Sequence, residues 1–223
     1  MNSVLLSTAY LPLVSWMAVA FQSGSIGIEI HETYPKQTFR NRCNIATSSG
    51  ILSLTVPVNR INGNHTKTAD MAIDNSTNWQ HLHWQSIITA YNKSPYFLYY
   101  RDLFEPVYHK QHKLLIDLNQ ELLAILIKSL KKDSVLFSLT TQYTTDPPYI
   151  DLRNSFHPKN KPYQINTCEL PRYIQVFEEK HGFIPDLSII DLLFNLGPDA
   201  IQYLLKVNIT IPAQISLLSG TQS

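Results

Sequence analysis

Apolar positions change their period several times along the chain, and each change marks an element. Val4, Leu5 and Leu6 run together without a charge, which predicts a short buried strand over residues 3–8. Tyr10, Leu11 and Pro12 break the run as a turn. Val14, Met17, Ala18 and Phe21 then recur at helical spacing as far as Ser23 and Gly24. Ile26, Ile28 and Ile30 alternate with small or polar residues, the period of a second strand. Strand, helix and strand within about 30 residues predict a βαβ unit and a parallel pair.

A polar loop over 31–44 follows, then a hairpin from Asn44 to Thr47 and from Ile51 to Val58, turning at Ser48, Ser49 and Gly50. Residues 59–69 read as a long loop and Asp70 to Asp74 as a short strand. The middle is helical: one helix from Ser76, one opened by Ser94 and Pro95, and one over Leu114–Lys132 with a stripe of Leu115, Leu118, Leu122, Ile125 and Leu126. Val135 to Thr140 is a strand, 141–170 is irregular, and helices return at Leu187–Asn195 and up to about Leu205. The fold class is therefore α/β, with a mainly parallel mixed sheet and helical middle and C-terminal segments. No linker composition divides the chain, so residues 1–223 are expected to form one domain.

Composition narrows the partners. Eighteen Lys and Arg against 17 Asp and Glu give a net charge of +1. No global field draws such a chain onto nucleic acid or a membrane, and extensive nucleic-acid contact is not expected. An anionic ligand must be held by a local cluster. Cys43 and Cys168 stand far apart and form no CxxC pair, so two free thiols are expected, with no zinc site and no cofactor. The first 24 residues are apolar but lack a positive start and are interrupted by Pro12 and several hydroxyl residues. They read as strand, turn and helix in a cytoplasmic protein, not as a signal peptide or membrane span.

No strong catalytic motif is present: GxGxxG, GxxxxGK[ST], GxSxG and HExxH are all missing. The densest chemistry lies in the loop directly after the second strand, where α/β sheets bind ligands. Lys36, Arg40 and Arg42 can pair phosphate, and His31 can act as acid or base. The plain alternative is a solvated loop with a few salt bridges. His65 and Lys67 lie in a second polar loop. His83 shares an apolar helix face with Trp79 and Ile87, where a satisfied core histidine is the bland reading. Cys43 beside Arg40 and Arg42 is a candidate thiolate without a partner His fixed by sequence. Asp186 can cap the following helix, and Asp191 lies on that helix and needs partners if buried.

Seven ordered blocks carry a resemblance. STAYLPLVSWMAVAF, HETYPKQTFRNRCNI, HTKTADMAID, NWQHLHWQSIITAYNKSPYFLYY, DLNQELL, DLR and HGFIPDLSIIDLLFNLGP resemble, in this order, the WbqC-like protein family. The family's name comes from a protein encoded among bacterial O-antigen genes. The resemblance implies surface-polysaccharide or amino-sugar metabolism, and polar functional positions at Lys36, Asn41, Arg42, His65, Lys67, His83, Asp186 and Asp191. The expected function is N-acyl or aminoacyl transfer on a nucleotide-activated amino sugar, with a non-catalytic sugar-nucleotide or partner-binding protein as the alternative. His31, His83 and Asp191 are the expected catalytic groups. Lys36, Asn41, Arg42, His65 and Lys67 are the expected substrate-binding groups. His31, His83 and the five binding residues are expected to converge on one pocket at the carboxyl ends of the first two strands.

Overall fold

The computed structural model describes residues 3–131, 135–158 and 168–209. β1 (Ser3–Ser7), α1 (Val14–Gln22) and β2 (Ser25–Glu29) form the expected βαβ unit. β1 and β2 run parallel, with Ser3 opposite Ser25 and Ser7 opposite Glu29. β3 (Arg42–Thr47) and β4 (Gly50–Thr55) are the antiparallel hairpin, beginning at Arg42 and not at Asn44. β5 (Val58–Asn59) pairs with β6 (Ala72–Ile73). The helical middle is α2 (Trp79–Tyr91), α3 (Phe97–His109) and α4 (Leu115–Ser129). β7 (Leu136–Leu139) and β8 (Ile150–Asp151) follow, and then β9 (Cys168–Glu169), α5 (Glu178–His181), α6 (Ile189–Leu196), α7 (Ala200–Lys206) and β10 (Asn208–Ile209).

The main sheet has the order β7-β2-β1-β8, and every neighbouring pair in it is parallel. The four carboxyl ends therefore leave the sheet along one edge. β1 is central, and Val4, Leu5 and Leu6 are fully buried, which is why that strand reads as an unbroken apolar run. Only two residues make β8, so it carries no periodicity of its own. Its register is held by pairing with Val4 and Leu5 and by Leu152 N–H donating to the Leu5 carbonyl (2.9 Å).

Helices cover the apolar surfaces. α1 packs against α6 and α7, and its Trp16 stacks on Phe137 of β7. With neighbours on several sides, α1 is buried from Val14 to Phe21 and needs no polar face. α3 packs against both α2 and α4. α4 buries Leu115, Leu118, Leu122 and Leu126, whereas Ile125 is only partly covered. Asp117 in its first turn and Lys128 in its last turn suit the helix dipole. α3 starts at Phe97 and not at Pro95, because residues 94–96 form a turn whose Tyr96 N–H donates to the Phe194 carbonyl (3.0 Å).

Asp186 also departs from expectation. It does not cap the helix that follows it. Its carboxylate reaches α1 instead, accepting from Ser15 N–H and Ser15 Oγ–H, both at 2.8 Å. The first-turn amides of α1 thereby gain a side-chain acceptor from distant sequence. Ser188, before α6, donates to the carbonyl of Leu11 (2.9 Å), which holds the turn after β1 with Leu11 at φ 43°.

Gly197 ends α6 at φ 55°, and a Cβ there would lie 2.5 Å from the Tyr96 ring. Gly63 has nearly the same φ, 54°, with nothing within 4 Å. Gly197→Ala is expected to cost about 3 kcal/mol, from left-handed strain plus overpacking. Gly63→Ala carries the strain alone, about 1 kcal/mol. Urea midpoints of the two variants check this, and equal shifts would show that the Tyr96 contact contributes nothing.

Candidate functional site

The residue that organises the carboxyl edge of the sheet is Glu29, the last residue of β2, which is 0% exposed. A buried carboxylate needs donors and a countercharge. Its Oε1 accepts from His31 N–H (2.6 Å) and Thr140 Oγ–H (3.1 Å), and its Oε2 accepts from Arg153 Nη1 (3.4 Å). Arg153 follows β8. It grips Asp151 through Nε (2.9 Å) and Nη2 (2.6 Å), and Nη1 also donates to the Thr144 carbonyl (3.0 Å). Burial pushes the Asp151 carboxyl up, and the hydrogen bonds and charge of Arg153 outweigh it, leaving its pKa lowered.

A second pair lies alongside. Arg40 holds both oxygens of Glu32 at 2.7 and 2.9 Å, a bidentate fork. Its backbone carbonyl accepts from Asn119 of α4 (2.8 Å), whose amide also reaches Thr8 at the end of β1 (3.1 Å). The strand ends are thus joined by paired charges and a buried amide.

A cleft of about 610 Å³ opens over this edge, with His31, Glu32, Lys67, Gln142, Tyr143 and Asn154 among its lining residues. Its size falls in the ordinary range for small-molecule sites. The loop after β2 and the loop over 59–69 are laced together. Tyr34 N–H donates to the Thr66 carbonyl (2.9 Å), Thr68 N–H to that of Glu32 (2.9 Å), and Thr33 bridges Lys67. His31 Nε2 lies 3.0 Å from the Thr140 carbonyl. A carbonyl oxygen only accepts, so Nε2 carries a proton and donates it there.

The expected pocket residues do not all converge. His31 and Lys67 line the cleft. Lys36 is exposed beside a turn made by Gln37 at φ 55°. Past that turn Arg40 points inward, 2% exposed and spent on Glu32. Arg42 already belongs to β3 and contacts Thr55 (3.2 Å). Three cations close in sequence are therefore separated by a turn and a strand start, and no anion trap forms from them. Asn41 braces the backbone through the Val56 carbonyl (2.8 Å). His65 is exposed in a 3₁₀ turn, with only its neighbour Lys67 facing the cleft.

His83 and Asp191 are elsewhere. His83 Nδ1 bonds Tyr10 Oη (2.9 Å), and the Trp79 ring meets it edge-on. Burial lowers its pKa to about 4. Asp191 is buried on α6 and accepts from Tyr91 (3.0 Å), Tyr173 (2.7 Å) and Gln175 (2.9 Å). Both side chains are satisfied in the core, as a buried polar group requires. Cys43 is a buried free thiol whose pKa is raised by desolvation, which keeps it neutral. The side chain of Cys168 lies outside the described residues.

No sequence motif marks Glu29, Tyr143 or Arg153 as site residues. Two signals existed: an acidic residue inside an otherwise uncharged strand, and the DLR triplet at 151–153.

This arrangement spans residues 29–154, and comparison with known proteins covers the same stretch. The description of the WbqC-like protein family matches residues 8–146 and 138–203. The chain belongs to the WbqC-like protein family. An uncharacterized protein, Rv1507c of Mycobacterium tuberculosis (strain ATCC 25618 / H37Rv), is 29% identical over 193 residues, 77% of this chain and 83% of that protein. No solved structure matches this family member. Among the described residues no helix is long and apolar enough to cross a membrane.

Two titrating groups with shifted pKa values pull stability in opposite directions. Asp186 reaches the surface in part, yet desolvation raises its carboxyl to about 6, against the lowering effect of its bonds from Ser15. Between about pH 4 and 6 the folded chain keeps that proton longer than the unfolded chain, so its contribution falls as pH rises. His83, with its pKa near 4, is protonated more readily when unfolded, so its contribution rises from about pH 4 to 6.5. Relative to the parent, Asp186→Asn is expected to gain stability as pH rises from 4 to 6. The gain is at most about 1 kcal/mol per pH unit once partial exposure is discounted. His83→Gln is expected to lose ground over the same range. Urea midpoints across that range read both slopes, and parallel curves for all three proteins would contradict the assignment.

Proposed function

We propose that this chain transfers an acyl or aminoacyl group to the amine of a nucleotide-activated amino sugar bound in the cleft over the carboxyl edge of the sheet. The observation that carries the reading is His31, whose Nε2–H is occupied by the Thr140 carbonyl while the imidazole lines the cleft, with no partner for Nδ1 among the described residues. An amine that attacks an acyl carbon must lose a proton as the C–N bond forms and the donor's leaving group departs. His31 Nδ1 takes that proton, and the Thr140 carbonyl stabilises the imidazolium that results. Lys67 supplies the charge for the diphosphate. Lys36, Asn41, Arg42, His65, His83 and Asp191 have no part in this scheme beyond supporting the fold or the surface. Family membership supports a place in bacterial surface-polysaccharide biosynthesis, in the cytoplasm, where nucleotide sugars are made.

A second reading is a non-catalytic sugar-nucleotide-binding protein. It is favoured by one observation: the charged groups of the sheet edge beside the cleft are taken up in ion pairs, Arg40 with Glu32 and Arg153 with Asp151 and Glu29, and so serve structure and not chemistry.

Calorimetry against UDP-, dTDP- and GDP-linked amino sugars, combined with a transfer assay using acyl-thioester donors, tests both. Lys67→Ala is expected to weaken binding about tenfold, the loss of one charge-assisted contact. His31→Gln is expected to bind within about twofold of the parent and to lose transfer by at least about a hundredfold. Binding without turnover in the parent selects the second reading. Lys67→Ala binding unchanged would remove the cleft as the anion site.

A further inference from the structure

We infer that Tyr143 is the platform on which the nucleobase of the ligand stacks, with Lys67 taking the phosphates; this rests on the reading that the cleft holds a nucleotide-activated sugar. Tyr143 lies in the loop after β7 and lines the cleft, and its side chain is 51% exposed. One face of the ring is already covered. The guanidinium carbon of Arg153 sits 4.9 Å from the ring centroid. That guanidinium cannot swing away, because both oxygens of Asp151 hold it through Nε and Nη2. The same cation fixes the backbone next to the ring, since Nη1 donates to the Thr144 carbonyl (3.0 Å). With Arg153 over one face and the residue half exposed, the opposite face is the surface left for a planar partner.

An aromatic face held rigid in a polar cleft gains most from a planar partner, because no rotamer freedom is lost when the partner lands on it. A nucleobase and a sugar ring both stack on tyrosine. They differ in electrostatics. The C–H groups of a sugar carry partial positive charge and prefer an electron-rich ring. Arg153 lies against one face of Tyr143 and draws the π cloud toward itself. The exposed face is correspondingly electron-poor, which suits the π face of a base better than the C–H face of a sugar. The amides of Gln142 and Asn154 also line the cleft, and each offers donors and an acceptor for the edge of a base. His31 and Lys67 line the same cleft, so a base at Tyr143 would leave the rest of the ligand within the space bordered by the groups proposed to bind charge and move a proton.

The test is calorimetry of the full chain with ADP, GDP, UDP, dTDP, inorganic pyrophosphate and glucosamine 1-phosphate, using the parent, Tyr143→Ala, Tyr143→Phe and Tyr143→Trp. For the nucleotide that the parent binds best, Tyr143→Ala is expected to lose about tenfold or more in affinity, the scale of one base–aromatic stack. Tyr143→Phe is expected to stay within about threefold, because the ring and not the hydroxyl does the stacking. Tyr143→Trp is expected to bind and to have its fluorescence quenched by the nucleotide. Pyrophosphate affinity is expected to be the same in all four proteins. Urea midpoints confirm that each variant is folded. Nucleotide affinity unchanged in Tyr143→Ala overturns the inference while leaving the proposed function standing. So does a loss seen with glucosamine 1-phosphate and not with the nucleotide, which would put the sugar on the ring. A parent that binds no nucleotide at all overturns both.

Discussion

A carboxyl group with no exposure to water terminates the second strand of the sheet, and the cleft edge is arranged around giving it hydrogen-bond partners. Glu29 receives an amide, a hydroxyl and a guanidinium, and each donor comes from a different part of the chain. Taking away one partner of such a pair is far more costly than the net value of the pair, because the other charge is left stranded in a poorly solvated place. Arg153 therefore commits the segment after β8 to this edge, and Thr140 commits the segment after β7. The loop after β2 is committed through His31 N–H. Loops that would otherwise be free to wander are held where a ligand site needs rigid walls.

The same principle runs through the C-terminal third. Asp191 gathers Tyr91 from α2, Tyr173 and Gln175 from an irregular segment, and α6 itself. Asp186 caps α1 and Ser188 holds the turn after β1. These contacts tie the last third of the chain to its first strand and helix. The polar positions in that region serve architecture: each buried group answers a donor or acceptor that the backbone or a neighbouring helix leaves open. The cleft edge and the structural staples use the same residue types. They differ in whether a cleft lies next to them.

Much of the fold is legible from the order of residues, since period and composition are local properties. The unbroken apolar run of β1, the helical spacing of α1 and the alternation in β2 need no knowledge of distant sequence. Residues with weak local signals were harder to place. β8 is two residues long and exists because Leu5 offers it a pairing partner. Pro95 looked like a helix start, yet a tertiary bond from Tyr96 to Phe194 holds a turn there. The site was half legible. Of the residues expected to converge, His31 and Lys67 reach one cleft. Lys36, Arg40 and Arg42 looked like one cluster because they are close in sequence, but the positive φ of Gln37 and the start of β3 send them to different surroundings.

The sequence by itself determined the class of architecture, the parallel pair at its heart and the family to which the chain belongs, because these depend on patterns read along the chain. Only the tertiary structure decided which charges remain available for a ligand. A cation is spent when a carboxylate from elsewhere in the chain reaches it, as Glu32 reaches Arg40 and Asp151 and Glu29 reach Arg153. Whether a histidine borders a cleft or sits in the core is settled in the same way. His31 and His83 are the same side chain. One has a carbonyl partner on one nitrogen and a cleft beside it, and the other is packed between a tyrosine and a tryptophan. That difference lies in contacts between residues far apart in sequence, which local periodicity does not carry.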